Sequence, residues 1–105
     1  MKWLPWRERA IADSLSFPNP SRNFDEARDG VEFWGYDRTI EIAFFVDGQA
    51  LLKLGPLTSA GESDLLDTFD RERDQILAAA ERIYAQRPKT GHVSSYVLSS
   101  GDFSI

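Results

Sequence analysis

Val31-Glu32-Phe33-Trp34-Gly35-Tyr36-Asp37-Arg38-Thr39-Ile40-Glu41-Ile42-Ala43-Phe44-Phe45-Val46 is the stretch that decides the fold. Residues 31–36 and 39–46 are rich in aromatic and β-branched side chains, which fit a pleated, half-buried surface. Asp37-Arg38 stands between them and reads as the two-residue turn of a hairpin. That turn pairs Tyr36 with Thr39, Trp34 with Glu41, Phe33 with Ile42 and Val31 with Phe44. Residues opposite one another in an antiparallel pair share a face. One face therefore collects Val31, Phe33, Ile40, Ile42, Phe44 and Val46 and is wholly apolar, and a slip of one residue would scatter it. Asp-Arg lacks the glycine that a two-residue primed turn prefers, so a longer loop is the alternative.

The other face carries Glu32, Trp34, Tyr36, Thr39, Glu41, Ala43 and Phe45. Three aromatic rings exceed what a face open to water needs, and such patches mark contacts. Three covers are open: the N-terminal segment with Trp3 and Trp6, a second copy of the chain, or a separate protein partner. Trp34, Tyr36, Glu41 and Phe45 are thus candidate binding residues.

Downstream, Asp47-Gly48 breaks the strand, and residues 49–54 read as a short helix ended by Gly55-Pro56. Residues 59–61 are loop. Over 62–87 the spacing predicts one long helix, with Leu66, Phe69, Arg73, Ile76, Leu77, Ala80, Ile83 and Tyr84 recurring every three or four residues. Early acids (Glu62, Asp64, Asp67) and late bases (Arg82, Arg87) suit its dipole, and Pro88 marks its end. Such a helix would be ~39 Å long at ~1.5 Å per residue, against ~33 Å for a domain of this size. One end must overhang or the helix must bend. A strand over 92–98, then Ser99-Ser100-Gly101 and Asp102-Phe103, complete the chain.

Upstream, residues 14–17 read as a short strand stopped by Pro18-Asn19-Pro20. Residues 21–29 read as a loop or one helical turn around Phe24. Residues 1–13 read as an N-terminal appendage to a single domain over 14–105. Leu66, Phe69, Ile76, Ala80 and Ile83 should pack on the apolar hairpin face. The expected class is α+β: a small antiparallel sheet of about four strands, with one long helix and one or two short ones on one face.

Composition narrows the chemistry. The chain has 105 residues, the size of one domain, with 42% hydrophobic and 28% charged residues, the balance of a chain that folds. It has no cysteine, which excludes disulfides, thiolate metal sites and a cysteine nucleophile. Its net charge of −5 disfavours a nucleic-acid partner. The N-terminus lacks the apolar run of a secretory signal, and no 18 apolar residues run together, so the expected location is cytoplasmic. A membrane-surface role for Trp3 and Trp6 is disfavoured because Arg7 breaks the apolar arc.

Catalytic and cofactor motifs are absent. His92 is the only histidine, and a set with Asp102 and Ser94, Ser95, Ser99 or Ser100 has no nucleophile elbow to support it. The carboxylates lack EF-hand order, and Asp67 with Arg71 and Asp70 with Arg73 fit helix-surface ion pairs. No glycine loop for phosphate occurs. No cofactor and no metal site are therefore expected. Arg73 falls inside the apolar stripe; either its stem covers the edge of the core with the guanidinium reaching solvent or Asp70, or it anchors an anion in a pocket between helix and sheet.

Phe17-Pro18, Phe24-Asp25 leading to Val31-Glu32-Phe33, the strand 40–46 followed by Ala50-Leu51, Phe69 with Arg73 and Ile76, and Leu98 with Asp102-Phe103 form a spaced ensemble. This ensemble resembles a family of small bacterial proteins known as domain of unknown function 1488 (DUF1488), over residues from about 15 to 104. The resemblance implies a compact α+β fold, a bacterial cytoplasmic setting and no assigned activity or catalytic residues; residues 1–13 depart from it. Two functions stay open. One is a non-enzymatic accessory or interaction protein, with an unknown partner or self-association at the aromatic hairpin face. The other is a small-molecule or nucleotide binder, or an enzyme, with a pocket near Arg73.

Overall fold

In the computed structural model, which describes residues 15–55, 61–86 and 95–103, the hairpin forms as β3 (Gly30–Asp37) and β4 (Ile40–Asp47). Its register differs from the expected one by two positions. Val31 pairs with Val46, Phe33 with Phe44, Tyr36 with Glu41 and Asp37 with Ile40, so the turn centres on Arg38-Thr39. Arg38 takes φ 63°, the positive angle a primed turn requires, although this costs a non-glycine residue about 1–2 kcal/mol. A two-residue slip keeps the period of the pleat, so both faces retain their residues. The observed register gains a stack of Phe33 on Phe44, with centroids 5.3 Å apart and planes at 18°. It also sets Gly35 opposite Ile42, under the ring of Phe17; a Cβ at Gly35 would stand 2.7 Å from Phe17 Cε1.

β1 (Leu15–Ser16) and β2 (Arg22–Asp25) pair antiparallel with different parts of the same edge of β3. Ser14, the expected start of the first strand, lies outside the described residues, as does the rest of the N-terminal appendage. β2 corrects the reading of 21–29 as a loop or helical turn. Phe24 is its only apolar residue, too little for a visible alternation, and what makes it a strand is the row of backbone partners that β3 offers. Pro18 and Pro20 fall between the two edge strands, where no ladder bond is lost. After β2 the Asp25 carboxylate accepts from Arg28 N at 3.1 Å, and Asp29 at φ 58° leads into Gly30.

β5 (Tyr96–Leu98) lies parallel to β4, with Phe44 beside Tyr96 and Val46 beside Leu98. Among the described residues the sheet therefore has five strands and is mixed, where about four antiparallel strands were expected. The helices between β4 and β5 form the crossover that returns the chain to the same end of the sheet, which makes the pairing parallel. Residues 92–94 of the expected last strand lie outside the described residues.

α1 (Gly48–Leu54) starts directly after β4, where the Asp47 carboxylate accepts from Ala50 N at 2.9 Å as the N-cap. The expected long helix is two helices, α2 (Glu62–Arg71) and α3 (Arg73–Ala85), parted at Glu72 with φ −102° and ψ 21°. The expected bend thus occurs where residues 70–75 are all polar and none is fully buried, so no core contact holds the axis straight. α2 buries Leu65, Thr68 and Phe69; α3 buries Ile76, Ala79, Ala80 and Tyr84. Phe69, Ile76 and Ala80 pack as expected. Leu65 and Tyr84 take the central places expected of Leu66 and Ile83, which pack at the rim.

The helices cover the inner face of the sheet. Phe69 lies 5.2 Å from Phe33, and Tyr84 meets Tyr96 edge-on at 5.7 Å. Val31, Val46, Leu51, Leu65 and Leu98 fill the layer between. Ile40, at the hairpin tip, lies beyond this cover and is 64% exposed. The architecture is α+β. No helix among the described residues is long and apolar enough to cross a membrane.

Candidate docking face

The outer face of the sheet follows from the register. Trp34 stands opposite Ala43, Tyr36 opposite Glu41 and Glu32 opposite Phe45, while β5 sets Val97 beside Phe45. Trp34, Tyr36 and Ala43 are half-buried, and Val97 is 50% exposed. Successive residues on one face of a strand are ~7 Å apart. Glu32 and Glu41 consequently stand at opposite corners of a patch centred on Trp34.

Phe45 shares this face but is taken up by the chain itself, at 4% exposure. Its ring lies over Gly30, where a Cβ would stand 2.3 Å from Phe45 Cζ. The Arg28 guanidinium covers the ring at 3.9 Å from its centroid, a cation–π contact worth about 0.5–1 kcal/mol at an exposed site. The apolar surface left for a partner is therefore Trp34, Tyr36, Ala43 and Val97. Arg28 gave no sequence signal, because it belongs to a stretch read as a loop or one helical turn. The alternation of Tyr96, Val97 and Leu98 could have revealed Val97.

The acidic corners are engaged by neighbours. Asn23 Nδ2 donates to Glu32 Oε1 at 3.2 Å, and the Tyr36 hydroxyl donates to Glu41 Oε2 at 3.3 Å. The charge of Glu41, then this hydrogen bond, then burial raise the Tyr36 pKa above its usual 10.0. With the folded pKa raised, the neutral phenol's contribution to stability is complete below the unfolded value. It is lost as pH rises through the folded one. Glu41→Gln is expected to lower the Tyr36 titration. Ultraviolet phenolate absorbance, taken as the difference from Tyr36→Phe, measures it; an unmoved midpoint would contradict the contact.

Arg73 is on the helical side of the sheet, apart from Trp34, Tyr36, Glu41 and Phe45. It lines an open cleft of about 620 Å³ with Pro20, Ser21, Arg22 and Asp70. Its Nη2 donates to the Asn19 carbonyl at 3.1 Å. Arg22 holds Asp70 through two bonds of 2.8 Å, so among the described residues Asp70 pairs with Arg22 and not with Arg73. Both cations thus have partners, and the described part of the cleft has no buried polar side-chain atom lacking one.

The remaining candidates are placed as follows. Asp102 accepts from Ser99 N at 2.8 Å and Ser99 Oγ at 3.3 Å, capping the 3-10 turn Ser100–Asp102. His92 and Ser94 lie outside the described residues. The buried Tyr84 hydroxyl donates to the Asp37 carboxylate. No cluster of three metal-ligating side chains occurs among the described residues.

Comparison with known proteins concerns the family and the fold. The profile described as "Protein of unknown function (DUF1488)" matches residues 15–94. No curated protein matches. A crystal structure of a DUF1488 protein of unknown function from Shewanella loihica PV-4 is similar with a TM-score of 0.69 and 17% identity, over 81% of this chain and 91% of that one. At that identity the likeness concerns the fold.

Proposed function

The chain belongs to the DUF1488 family, to which no activity is attached, and we propose that it is a non-enzymatic interaction protein whose outer sheet face receives an aromatic, basic segment of polypeptide. The observation that carries this reading is that half-buried Trp34 and Tyr36 share the outer face with Glu32 and Glu41 at its corners. Aromatic side chains anchor interfaces where water is excluded around them, and opposite charge at the rim orients the partner. A pocket function near Arg73 has less support, since the cleft there is open and the charge of Arg22 is neutralised by Asp70.

A displayed random-peptide library tests the reading. The target is the full chain with Trp3→Ser and Trp6→Ser, which leaves Trp34 as the only tryptophan and the fluorescent reporter. Enriched peptides are expected to combine aromatic residues with Lys or Arg and to shift Trp34 emission. Trp34→Ala with Tyr36→Ala is expected to weaken their binding at least ~10-fold, as truncated interface anchors do. Absence of enrichment, or peptides indifferent to that double substitution, would overturn the proposal.

A further inference from the structure

Resting on the reading of the outer sheet face as a docking surface, we infer that a second copy of the chain occupies it when no partner is bound. The two copies pack face to face about a two-fold axis that crosses the strands over Trp34 and Ala43.

The face is self-complementary in charge. Along β4, Phe45 and Glu41 lie one step to either side of Ala43, each ~7 Å away. Phe45 carries the guanidinium of the exposed Arg28 above its ring, 3.9 Å from the centroid. Glu41, on the other side, is also exposed. A half-turn about the axis reverses the strand direction but keeps the order of the strands. It therefore sets Glu41 of each copy against Arg28 of the other, and symmetry makes this contact twice. Trp34 meets its own counterpart at the axis. Arg38, exposed at the hairpin tip, comes to the end of the face where Asp25 pairs with Gly30. Facing sheets cross at about 30°, which shifts a residue ~7 Å from the axis sideways by ~3.5 Å. This is less than the ~4.8 Å between strands, so the pairing survives the twist.

The other face-to-face two-fold runs along the strands, between β3 and β4. It would lay β3 on β4 and bring Glu41 beside Glu41 and Arg38 beside Arg38. Like charges set together across an interface cost affinity. The crosswise axis is the one that alternates them. The second copy also supplies what the face is suited to receive, aromatic rings with Arg28 and Arg38 beside them.

Size sets the strength. The sheet is four strands across, and β3 and β4 are 8 residues long. The footprint is therefore ~500 Å² on each copy, and ~1,000 Å² in total is the lower bound for a specific interface. The dimer is accordingly reversible, and a partner polypeptide competes with the second copy for Trp34.

Sedimentation equilibrium of the full chain over a range of concentrations tests the inference. A monomer–dimer equilibrium is expected, tighter at low salt. Arg28→Glu and Glu41→Arg, each alone, oppose like charges at both symmetric contacts and should weaken it at least ~10-fold. Mixing these two variants sets opposite charges at both contacts again, so the mixture should recover most of the lost association. Trp34→Ala should also weaken the dimer at least ~10-fold. Circular dichroism and denaturant midpoints compare the folded cores. A chain that stays monomeric at every concentration overturns the inference, as does a dimer indifferent to Trp34→Ala. A mixture that associates no better than its components overturns the crosswise axis and the inference with it. Peptide selection, run where the chain is monomeric, reads the docking face separately. A monomeric chain that still enriches peptides loses the second copy and keeps the face. A dimer without enrichment keeps the second copy and loses the peptide partner.

Discussion

Phe69→Ala is expected to lower the stability of the chain by about 3–5 kcal/mol, the cost of deleting a fully buried aromatic ring and leaving its cavity. Phe69 has no exposed surface, and its ring meets Phe33 at 5.2 Å. It is the contact through which α2 holds the hairpin. A domain of this size has only ~5–15 kcal/mol in total, so one substitution removes a large share. At ~4–8 °C per kcal/mol, the thermal midpoint followed by circular dichroism should fall by roughly 12–40 °C. Leu66→Ala supplies the contrast, since Leu66 packs only at the rim of the core, and it should cost less than half as much as Leu65→Ala. Equal losses at 65 and 66 would contradict the assignment of the α2 face.

Gly30→Ala is the second large effect. The backbone angles of Gly30 lie outside the left-handed region, so the requirement is space. An added Cβ would stand 2.3 Å from Phe45 Cζ, 2.8 Å from Phe45 Cε1 and 2.4 Å from the Val46 carbonyl oxygen. The ring can swing away, at the cost of its cover by Arg28. The carbonyl cannot move without shifting β4 at its pairing with β3. Overpacking alone typically costs about 1–3 kcal/mol, and with backbone displacement added the loss should be about 3 kcal/mol or more. Adding Phe45→Leu should recover only the ring's part, leaving the carbonyl contact, and a double-mutant cycle separates the two. Gly101→Ala, with nothing within 4 Å of an added Cβ, should change the stability by less than ~0.5 kcal/mol. A neutral Gly30→Ala would show that Phe45 does not lie over Gly30.

Both substitutions bear on what could be read in advance. Phe69 was legible as a core residue because it belongs to a stripe with helical period. Gly30 falls between the stretch 21–29 and the hairpin strand; its closeness to Phe45 arises from pairing with β4 and has no local signal. The docking face stands between these cases. Trp34, Tyr36, Glu41 and Phe45 were assigned to it by alternation alone. Burial then removed Phe45 from the available surface, through Arg28 and Gly30 from elsewhere in the chain.

The sequence by itself determined which residues of 31–46 face inward and which outward, because the pleat has a period of two and only one phase yields an apolar face. It also determined the apolar side of α3 and the break after β4 at Asp47-Gly48 that leads into a short helix, where periodicity and breaker residues act over a few positions. Tertiary structure alone decided the register, since a slip of two residues preserves both faces. The observed register is the one that sets Phe33 opposite Phe44 and stacks their rings. It also decided that β2 is a strand, that β5 lies parallel to β4, and that the long helical run parts at Glu72. In each of these three the deciding partner is distant in the chain: a free strand edge, a helical crossover, or a core that offers residues 70–75 nothing to bury.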